Sequence, residues 1–135
     1  MSTTVEVFNR CMEKLVAKDM EGFLELLHPD CVLEFPFAVP GRPRRVSGGA
    51  EVREFFLADA KLIEVRGVNE LTTHQTTDPE TIVVEFSGDG IALATGDPCE
   101  ISFISVFTVR DGLCVRYRDY WNPATTLAMQ GKSPD

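Results

Sequence analysis

Apolar side chains recur every three or four residues along parts of the N-terminal half, and this spacing predicts three helices. The first is predicted over residues 4–18, where Thr3 and Glu6 have the spacing of a capping box at its start. Its buried face consists of Phe8, Cys11, Met12 and Leu15. The chain is therefore expected to open with one amphipathic helix.

Two shorter helical segments follow. Asp19 is the predicted N-cap of the second helix. The tripeptide HPD at 28–30 is predicted to end that helix, because Pro29 disfavours helical backbone at the residue before it. The third helix is predicted over residues 50–61. The inward-facing residues are Phe23, Leu26 and Leu27 in the second helix and Val52, Phe55 and Phe56 in the third.

Segments rich in Val, Ile, Thr and Phe predict strands. The predicted strands are 31–37, 67–76, 81–95, 99–110 and 113–121. Asp111 and Gly112 suit a tight hairpin turn between the last two. Helices followed by a meander of long strands predict an α+β fold, in which the helices cover one face of a curved antiparallel sheet and enclose a cone-shaped apolar cavity. By length, residues 1–135 form one domain.

The last predicted strand, VRYRDYWNP, carries an acid among apolar residues. Successive strand residues point to opposite faces. Val115, Tyr117, Asp119 and Trp121 therefore share one face, and Arg116, Arg118 and Tyr120 share the other. The arginine-bearing face is the better solvent face, so Asp119 is predicted to point into the cavity.

An inward Asp119 is the strongest catalytic candidate in the sequence. Its neighbours Val115, Tyr117 and Trp121 would desolvate the carboxylate and raise its pKa, which suits a group that takes and returns a proton near neutral pH. The alternative is that the face is reversed, with Asp119 outside and paired with an arginine.

Other polar residues are weaker candidates. His74 is a candidate second proton relay or oxygen clamp, although a lone strand histidine is more often structural or exposed. Asp59 lies one helical turn after the Phe55–Phe56 pair and is placed either at the cavity rim or in solvent. The aromatic candidates for the substrate-lining wall are Phe35, Phe55, Phe107, Tyr117 and Trp121, with the phenylalanines serving first as core.

Charge and motifs restrict the partners. A net charge of −8 and a pI near 4.7 argue against a nucleic-acid partner, which requires a basic surface. The cluster Arg42, Arg44 and Arg45 either keeps a loop soluble or places an arginine at a pocket rim, where it would attract an anionic substrate. The sequence contains no nucleotide-binding, nucleophile-elbow or zinc-protease motif, so no cofactor and no metal are expected.

The lengths of the apolar runs and the spacing of the cysteines bear on the cellular compartment of the protein. No apolar run is long enough to span a bilayer and the N-terminus lacks a signal-peptide pattern, so a cytoplasmic protein without a membrane partner is expected. The four cysteines form no C-x-x-C pair, which favours reduced core thiols over a zinc or redox site.

The order of elements resembles the nuclear transport factor 2-like superfamily, and within it the SnoaL-like polyketide cyclases and the phenazine-biosynthesis A/B proteins. The segments that carry the resemblance are HPD at 28–30, TTDPETIVVEFSGDG at 76–90 and the RDYWN ending at 118–122. The resemblance implies a cone-shaped fold with a ligand cavity, usually a dimer packed through the sheets. It also implies that Asp119 is the acid/base carboxylate.

The same comparison shows departures. Where the phenazine proteins carry a histidine and a serine on the third helix, this chain has Phe55 and Asp59. The tyrosine and aspartate of steroid isomerases correspond to Cys11 and Phe35. The epoxide hydrolases of this fold need an arginine between two aspartates, and Arg118 is expected to point out of the cavity.

The sequence therefore predicts a cofactor-independent enzyme of secondary metabolism that moves a proton on a carbonyl-bearing, partly aromatic substrate, in a cyclisation, isomerisation or dehydration. The alternative is a non-catalytic ligand-binding or accessory domain. An apolar outer sheet face predicts a homodimer. A short last helix is expected to begin near Pro123 and stop at Gly131, with Leu127 and Met129 over the cavity mouth.

Overall fold

The computed structural model describes residues 3–129 as four helices and six strands. The helices are α1 (Thr4–Val16), α2 (Met20–Leu24), α3 (Gly49–Asp59) and α4 (Pro123–Met129). The strands are β1 (Leu27–Glu34), β2 (Arg45–Ser47), β3 (Ile63–Gln75), β4 (Thr81–Ala92), β5 (Asp97–Arg110) and β6 (Leu113–Trp121). The predicted α+β class is confirmed. No helix in residues 3–129 is both long enough and apolar enough to cross a membrane.

All six strands belong to one sheet, in the order β2-β1-β6-β5-β4-β3. Strands β3 to β6 form the predicted antiparallel meander, whereas β1 runs parallel to β6 and antiparallel to β2. Asp111 and Gly112 both have positive φ angles, 55° and 79°, which confirms the tight hairpin turn between β5 and β6.

Capping side chains set the starts of the first two helices. The Thr3 hydroxyl accepts a hydrogen bond from the Glu6 amide at 3.1 Å, and Asp19 accepts one from the Gly22 amide at 2.9 Å. Both predicted caps are confirmed. α1 packs against β3, β4 and β5, and α3 packs against β1 and β2. Phe8 of α1 meets Phe107 of β5 edge to face at 5.1 Å, and this pair lies in the centre of the core.

Several predicted boundaries were wrong. β1 begins at Leu27, so HPD at 28–30 lies in a strand and does not close α2. The strand ends at Glu34, three residues before the predicted end at residue 37. The sequence pattern also missed β2, a strand of three residues that pairs with the end of β1. Short edge strands of this kind carry too few residues to produce a recognisable alternation.

A β-bulge interrupts the alternation of β6. Thr108 pairs with Arg116, but Val109 pairs with Cys114, so Val115 is an extra residue without a partner. As a result Cys114 is fully buried, and Val115 lines a separate surface pocket with His28 and Asp30. The prediction that Val115 shares the inner face with Asp119 was therefore wrong, while the alternation from Tyr117 onward holds.

Three of the four cysteines meet in the core. Cys11, Cys31 and Cys114 are buried free thiols, and Cys99 is partly exposed. The Cys114 thiol of β6 donates to the Arg116 carbonyl at 3.5 Å, and the neighbouring Cys31 of β1 together with burial raises the pKa of Cys114. Burial raises the pKa of Cys11 to about 12. The expectation of free core thiols is confirmed for these three residues.

Candidate active site

A cavity of about 360 Å³ lies between the helices and the inner face of the sheet. Its wall is mostly apolar, as predicted for the interior of the cone. Polar side chains on the wall include Asp119 and Tyr117 of β6, Asp59 of α3, and Arg42 of the loop between β1 and β2. This combination of an apolar wall and a few polar groups is typical of a small-molecule site.

Asp119 is buried on the cavity wall, with 8% of its surface exposed. Its Oδ2 atom accepts a hydrogen bond of 3.3 Å from the Tyr117 hydroxyl, and its Oδ1 atom is buried without a hydrogen-bond partner among the described residues. Burial raises the pKa of Asp119 from 3.8 to about 7; the Tyr117 hydrogen bond lowers it and the charge of Asp59 raises it. A carboxyl group of this kind is present in both protonation states near neutral pH.

Asp59 reaches the same cavity from the end of α3. It accepts a hydrogen bond of 3.2 Å from Arg42, whose guanidinium also lies over the Phe55 ring at 5.6 Å from the centroid. Burial raises the pKa of Asp59, and the charge and hydrogen bond of Arg42 oppose this effect. The sequence placed Asp59 either at the cavity rim or in solvent, and in the structure its side chain lines the cavity.

Aromatic side chains form much of the remaining wall. Phe86, Phe103 and Trp121 lie side by side on β4, β5 and β6, with centroid distances of 4.7 and 6.2 Å and interplanar angles of 14° and 19°. Phe35 and Phe55 form a second group, with their centroids 4.9 Å apart. These flat apolar surfaces favour a planar, partly aromatic ligand.

The structure brings together most of the predicted site residues but not all of them. Asp119, Tyr117, Trp121, Phe35, Phe55 and Asp59 all line the cavity. His74 does not: it lies on the outer face of the sheet, where its Nε2 is 2.7 Å from Glu85, and half of its side chain is exposed. Phe107 does not line the cavity either, because it is buried in the core behind Tyr117, with the two rings 5.8 Å apart.

Sequence reasoning missed several wall residues. Phe86 pairs directly with Phe103 across β4 and β5 and alternates with Glu85 and Ser87, so strand parity gave a signal for its inward direction. Arg42 was predicted only as one of three loop arginines that could rim a pocket, because its pairing with Asp59, 17 residues away, leaves no local pattern. Arg118 lies on the outer face, as expected, and donates to the Tyr120 hydroxyl at 3.3 Å.

Charged groups at the rim are already paired. Lys18 and Arg66 both contact Glu64, Lys14 contacts Asp19 at 3.3 Å, and Arg42 contacts Asp59. The alternative in which Asp119 pairs with an outer-face arginine is not observed, because Arg116 is paired with Glu34 at 2.7 Å. Within residues 3–129, Asp119 is thus the one acid on the cavity wall that has no cationic partner.

Two bacterial proteins are similar in sequence to nearly the whole chain. The chain is 38% identical to the "Uncharacterized protein YesE" of Bacillus subtilis, over 95% of this chain and 87% of that protein. It is 34% identical to the "Uncharacterized PhzA/B-like protein PA3332" of Pseudomonas aeruginosa, over 93% of this chain and 89% of that protein.

Solved structures have the same fold. The crystal structure of a "Putative Isomerase from Bacillus subtilis" matches with a TM-score of 0.90 and 36% identity, covering 96% of this chain and 94% of that one. Structures of NTF2-like proteins match with TM-scores of 0.74 and 0.76, which confirms the predicted fold. The family model of the SnoaL-like domain matches residues 8–117, a span that runs from within α1 to within β6. The chain therefore belongs to the SnoaL-like domain family and has the NTF2-like fold.

Proposed function

We propose that this protein is a cofactor-independent enzyme that moves a proton on a carbonyl-bearing, partly aromatic small molecule, with Asp119 as the general acid/base. The observation that carries the proposal is the buried Asp119 carboxyl group on an apolar cavity wall, with Oδ1 unpartnered and a pKa of about 7. A general acid/base works best when its pKa lies near the working pH.

The proposed reaction begins with the Asp119 carboxylate. It takes a proton from the carbon next to a substrate carbonyl, and the electron pair of the broken C–H bond moves onto the carbonyl oxygen as an enolate. The protonated Asp119 then returns the proton to another carbon of the substrate, which gives an isomer. If the enolate instead attacks a second carbonyl of the same molecule, a ring closes and Asp119 protonates the new alkoxide.

The aromatic side chains of the cavity wall would position the substrate. A flexible substrate held between the Phe86–Phe103–Trp121 row and the Phe35–Phe55 pair loses freedom before the reaction, so its reacting atoms approach each other more often. Because the rim cations contact carboxylates, a neutral substrate is favoured over a polyanion. The names of the relatives, a PhzA/B-like protein and an isomerase, are compatible with this class of reaction.

We also propose a homodimer packed through the outer face of the sheet. Val83, Ile104, Val106 and Tyr120 alternate outward on neighbouring strands, and Ile104 is 43% exposed. Arginines of β2 and β6 lie at one side of this face, and acids of β3, β4 and β5 lie at the other. A twofold axis that lies in this face, parallel to the strands, would place the arginines of one subunit opposite the acids of the other.

The rival function is binding without catalysis. The observation in its favour is that His74, the predicted second proton relay, lies outside the cavity. The two functions differ in whether Asp119 exchanges a proton with the bound molecule.

Hydrogen–deuterium exchange separates them without knowledge of the product. A panel of aromatic ketones and cyclic enones is incubated with the protein in D₂O, and loss of the α-proton signal is followed by NMR. We expect catalysed exchange that falls about 100-fold to 10,000-fold in Asp119→Asn, while binding of the same ketone persists. His74→Gln is the matched control and should exchange at the wild-type rate. Equal exchange by wild type and Asp119→Asn would contradict the proposal.

A further inference from the structure

Two hydroxyl groups lie on the sheet beside the Asp119 carboxyl group. Ser105 of β5 is directly opposite Asp119 in the antiparallel register and is completely buried. Tyr117 precedes Asp119 by two residues on the same face and lies diagonally across from Ser105. The three side chains therefore form one polar group in a region that is otherwise apolar.

The donor and acceptor of the hydrogen bond between Tyr117 and Asp119 can be assigned. The Tyr117 hydroxyl donates its one proton to Oδ2 of Asp119 at 3.3 Å, so its oxygen can only accept from other groups. The Ser105 hydroxyl is buried without a hydrogen-bond partner among the described residues, so its proton is available to a neighbouring oxygen, and its proximity lowers the pKa of Tyr117. Ser105 can therefore donate to the phenol oxygen of Tyr117, which in turn donates to Asp119.

The tyrosine ring is held from behind. Tyr117 contacts Phe107 edge to face at 5.8 Å and 90°, and Phe107 contacts Phe8 of α1 at 5.1 Å and 85°. Because Phe107 is itself held by Phe8, the Tyr117 ring cannot swing its hydroxyl away from Asp119 without disturbing the core. The position of the donor is therefore set by packing between α1 and the sheet.

We propose that Tyr117 and Ser105 are positioning residues: they hold Oδ2 of Asp119 by hydrogen bonding and leave Oδ1 to exchange the proton with the substrate. This inference rests on the proposed function, in which Asp119 is catalytic. It gives Tyr117 a role different from that of a simple wall residue, and it gives Ser105, which does not line the cavity, a role in the site.

The hydrogen bond also opposes the effect of burial. Burial favours the neutral carboxylic acid, whereas a hydroxyl donor favours the carboxylate. Asp59 of α3 raises the pKa of Asp119, and Arg42 is paired with Asp59. Tyr117 is the group that lowers the pKa of Asp119, and its removal should make Asp119 harder to ionise.

The test is an NMR titration of Asp119 in the substrate-free protein. Aspartate is labelled with ¹³C at Cγ, and Asp119→Asn assigns the signal. Tyr117→Phe keeps the ring against Phe107 and should move the titration midpoint upward by about 0.5 to 1 pH unit, the effect of losing one hydrogen bond. Ser105→Ala should move it upward by a smaller amount. Tyr120→Phe, which removes the hydroxyl of the outer face of the same strand, should leave it unchanged.

The outcomes distinguish this inference from the proposed function. An unchanged midpoint in Tyr117→Phe, or an equal shift in Tyr120→Phe, would overturn it whether or not the protein is an enzyme. If Tyr117→Phe does not fold, Ser105→Ala decides: a raised midpoint supports the hydroxyl pair, and an unchanged one contradicts it. Where exchange activity is found, the acid limb of the kcat/KM profile should move with the midpoint, because a purely structural change lowers the rate at every pH alike.

Discussion

Asp59 and Asp119 line the same cavity from different layers of the fold, and the negative charge of Asp59 raises the pKa of Asp119. Asp59 comes from the end of α3, whereas Asp119 lies on β6. Within residues 3–129, only Asp59 of these two acids has a cation beside it, because Arg42 is 3.2 Å away. The helix layer thus contributes to the proton affinity of a residue on the sheet.

Asp59→Asn should lower the pKa of Asp119, because a nearby like charge is removed while the shape of the side chain is kept. We expect the NMR titration midpoint of Asp119 to fall by less than about 1 pH unit, since burial remains the larger cause. Glu64→Gln is the control: Glu64 also lines the cavity but is paired with Lys18 and Arg66. A midpoint that rises in Asp59→Asn would disprove this coupling.

Asp119→Asn should change how the free energy of unfolding depends on pH. The folded-state pKa of about 7 lies above the ordinary value of 3.8, so the folded protein keeps a proton that the unfolded chain releases. Wild-type stability should therefore decline relative to Asp119→Asn between about pH 4 and pH 7, by an amount on the order of 4 kcal/mol. Urea unfolding at pH 4, 6 and 8 measures this.

The control for that experiment is Asp97→Asn, which changes an exposed residue at the start of β5. Its stability difference from wild type should be the same at the three pH values. If Asp119→Asn behaves in the same way, Asp119 is not a buried group with a raised pKa.

Ile104→Glu should separate the proposed dimer into monomers. It places a charge at the centre of the apolar outer face, where Ile104 is opposite Tyr120. Sedimentation at micromolar concentration should give twice the 15.0 kDa chain mass for the wild type and the single mass for the variant. Leu57→Glu replaces a leucine of similar exposure on α3 and should remain dimeric. A monomeric wild type would refute the dimer.

Deletion of residues 124–135 should weaken ligand binding more than it lowers stability. α4 begins at Pro123 as predicted, and its Thr126 lines the cavity, while Thr125 contacts the Glu100 carbonyl at only 3.5 Å. We expect about 10-fold weaker binding of a naphthalene dye, followed by Trp121 fluorescence, and a loss of unfolding free energy below about 1 kcal/mol. If the deletion instead lowers stability more than it weakens binding, the role of this C-terminal segment is structural. Gly131 and the side chain of Met129 lie outside the described residues.

The sequence predicted that the Asp119 side chain points into the cavity, because strand alternation is a local property. Tyr117, Asp119 and Trp121 alternate with arginines, and only one assignment of the two faces places both arginines in solvent. The same argument failed four residues earlier, at Val115, because a bulge depends on the partner strand and leaves no mark in the bulged strand itself.

Features that depend on distant pairing could not be predicted. His74 has the same local pattern whether it faces a cavity or solvent, and its pairing with Glu85 is set by the β3–β4 register. The start of β1 was misplaced because Pro29 ends helices and is also tolerated where a strand has an irregular partner, as at the register shift between Leu27 and Val32. In each case the local sequence does not show which segment pairs with the strand in question.

The buried thiols of Cys11, Cys31 and Cys114 can report how often the core opens to solvent. These thiols come from α1, β1 and β6, and all three are buried in the core between the helix and the sheet. In the native protein a colourless disulfide reagent should react promptly with the partly exposed Cys99 alone. The much slower release of colour from the other three would then time how often the helix separates from the sheet, with no label or mutation added.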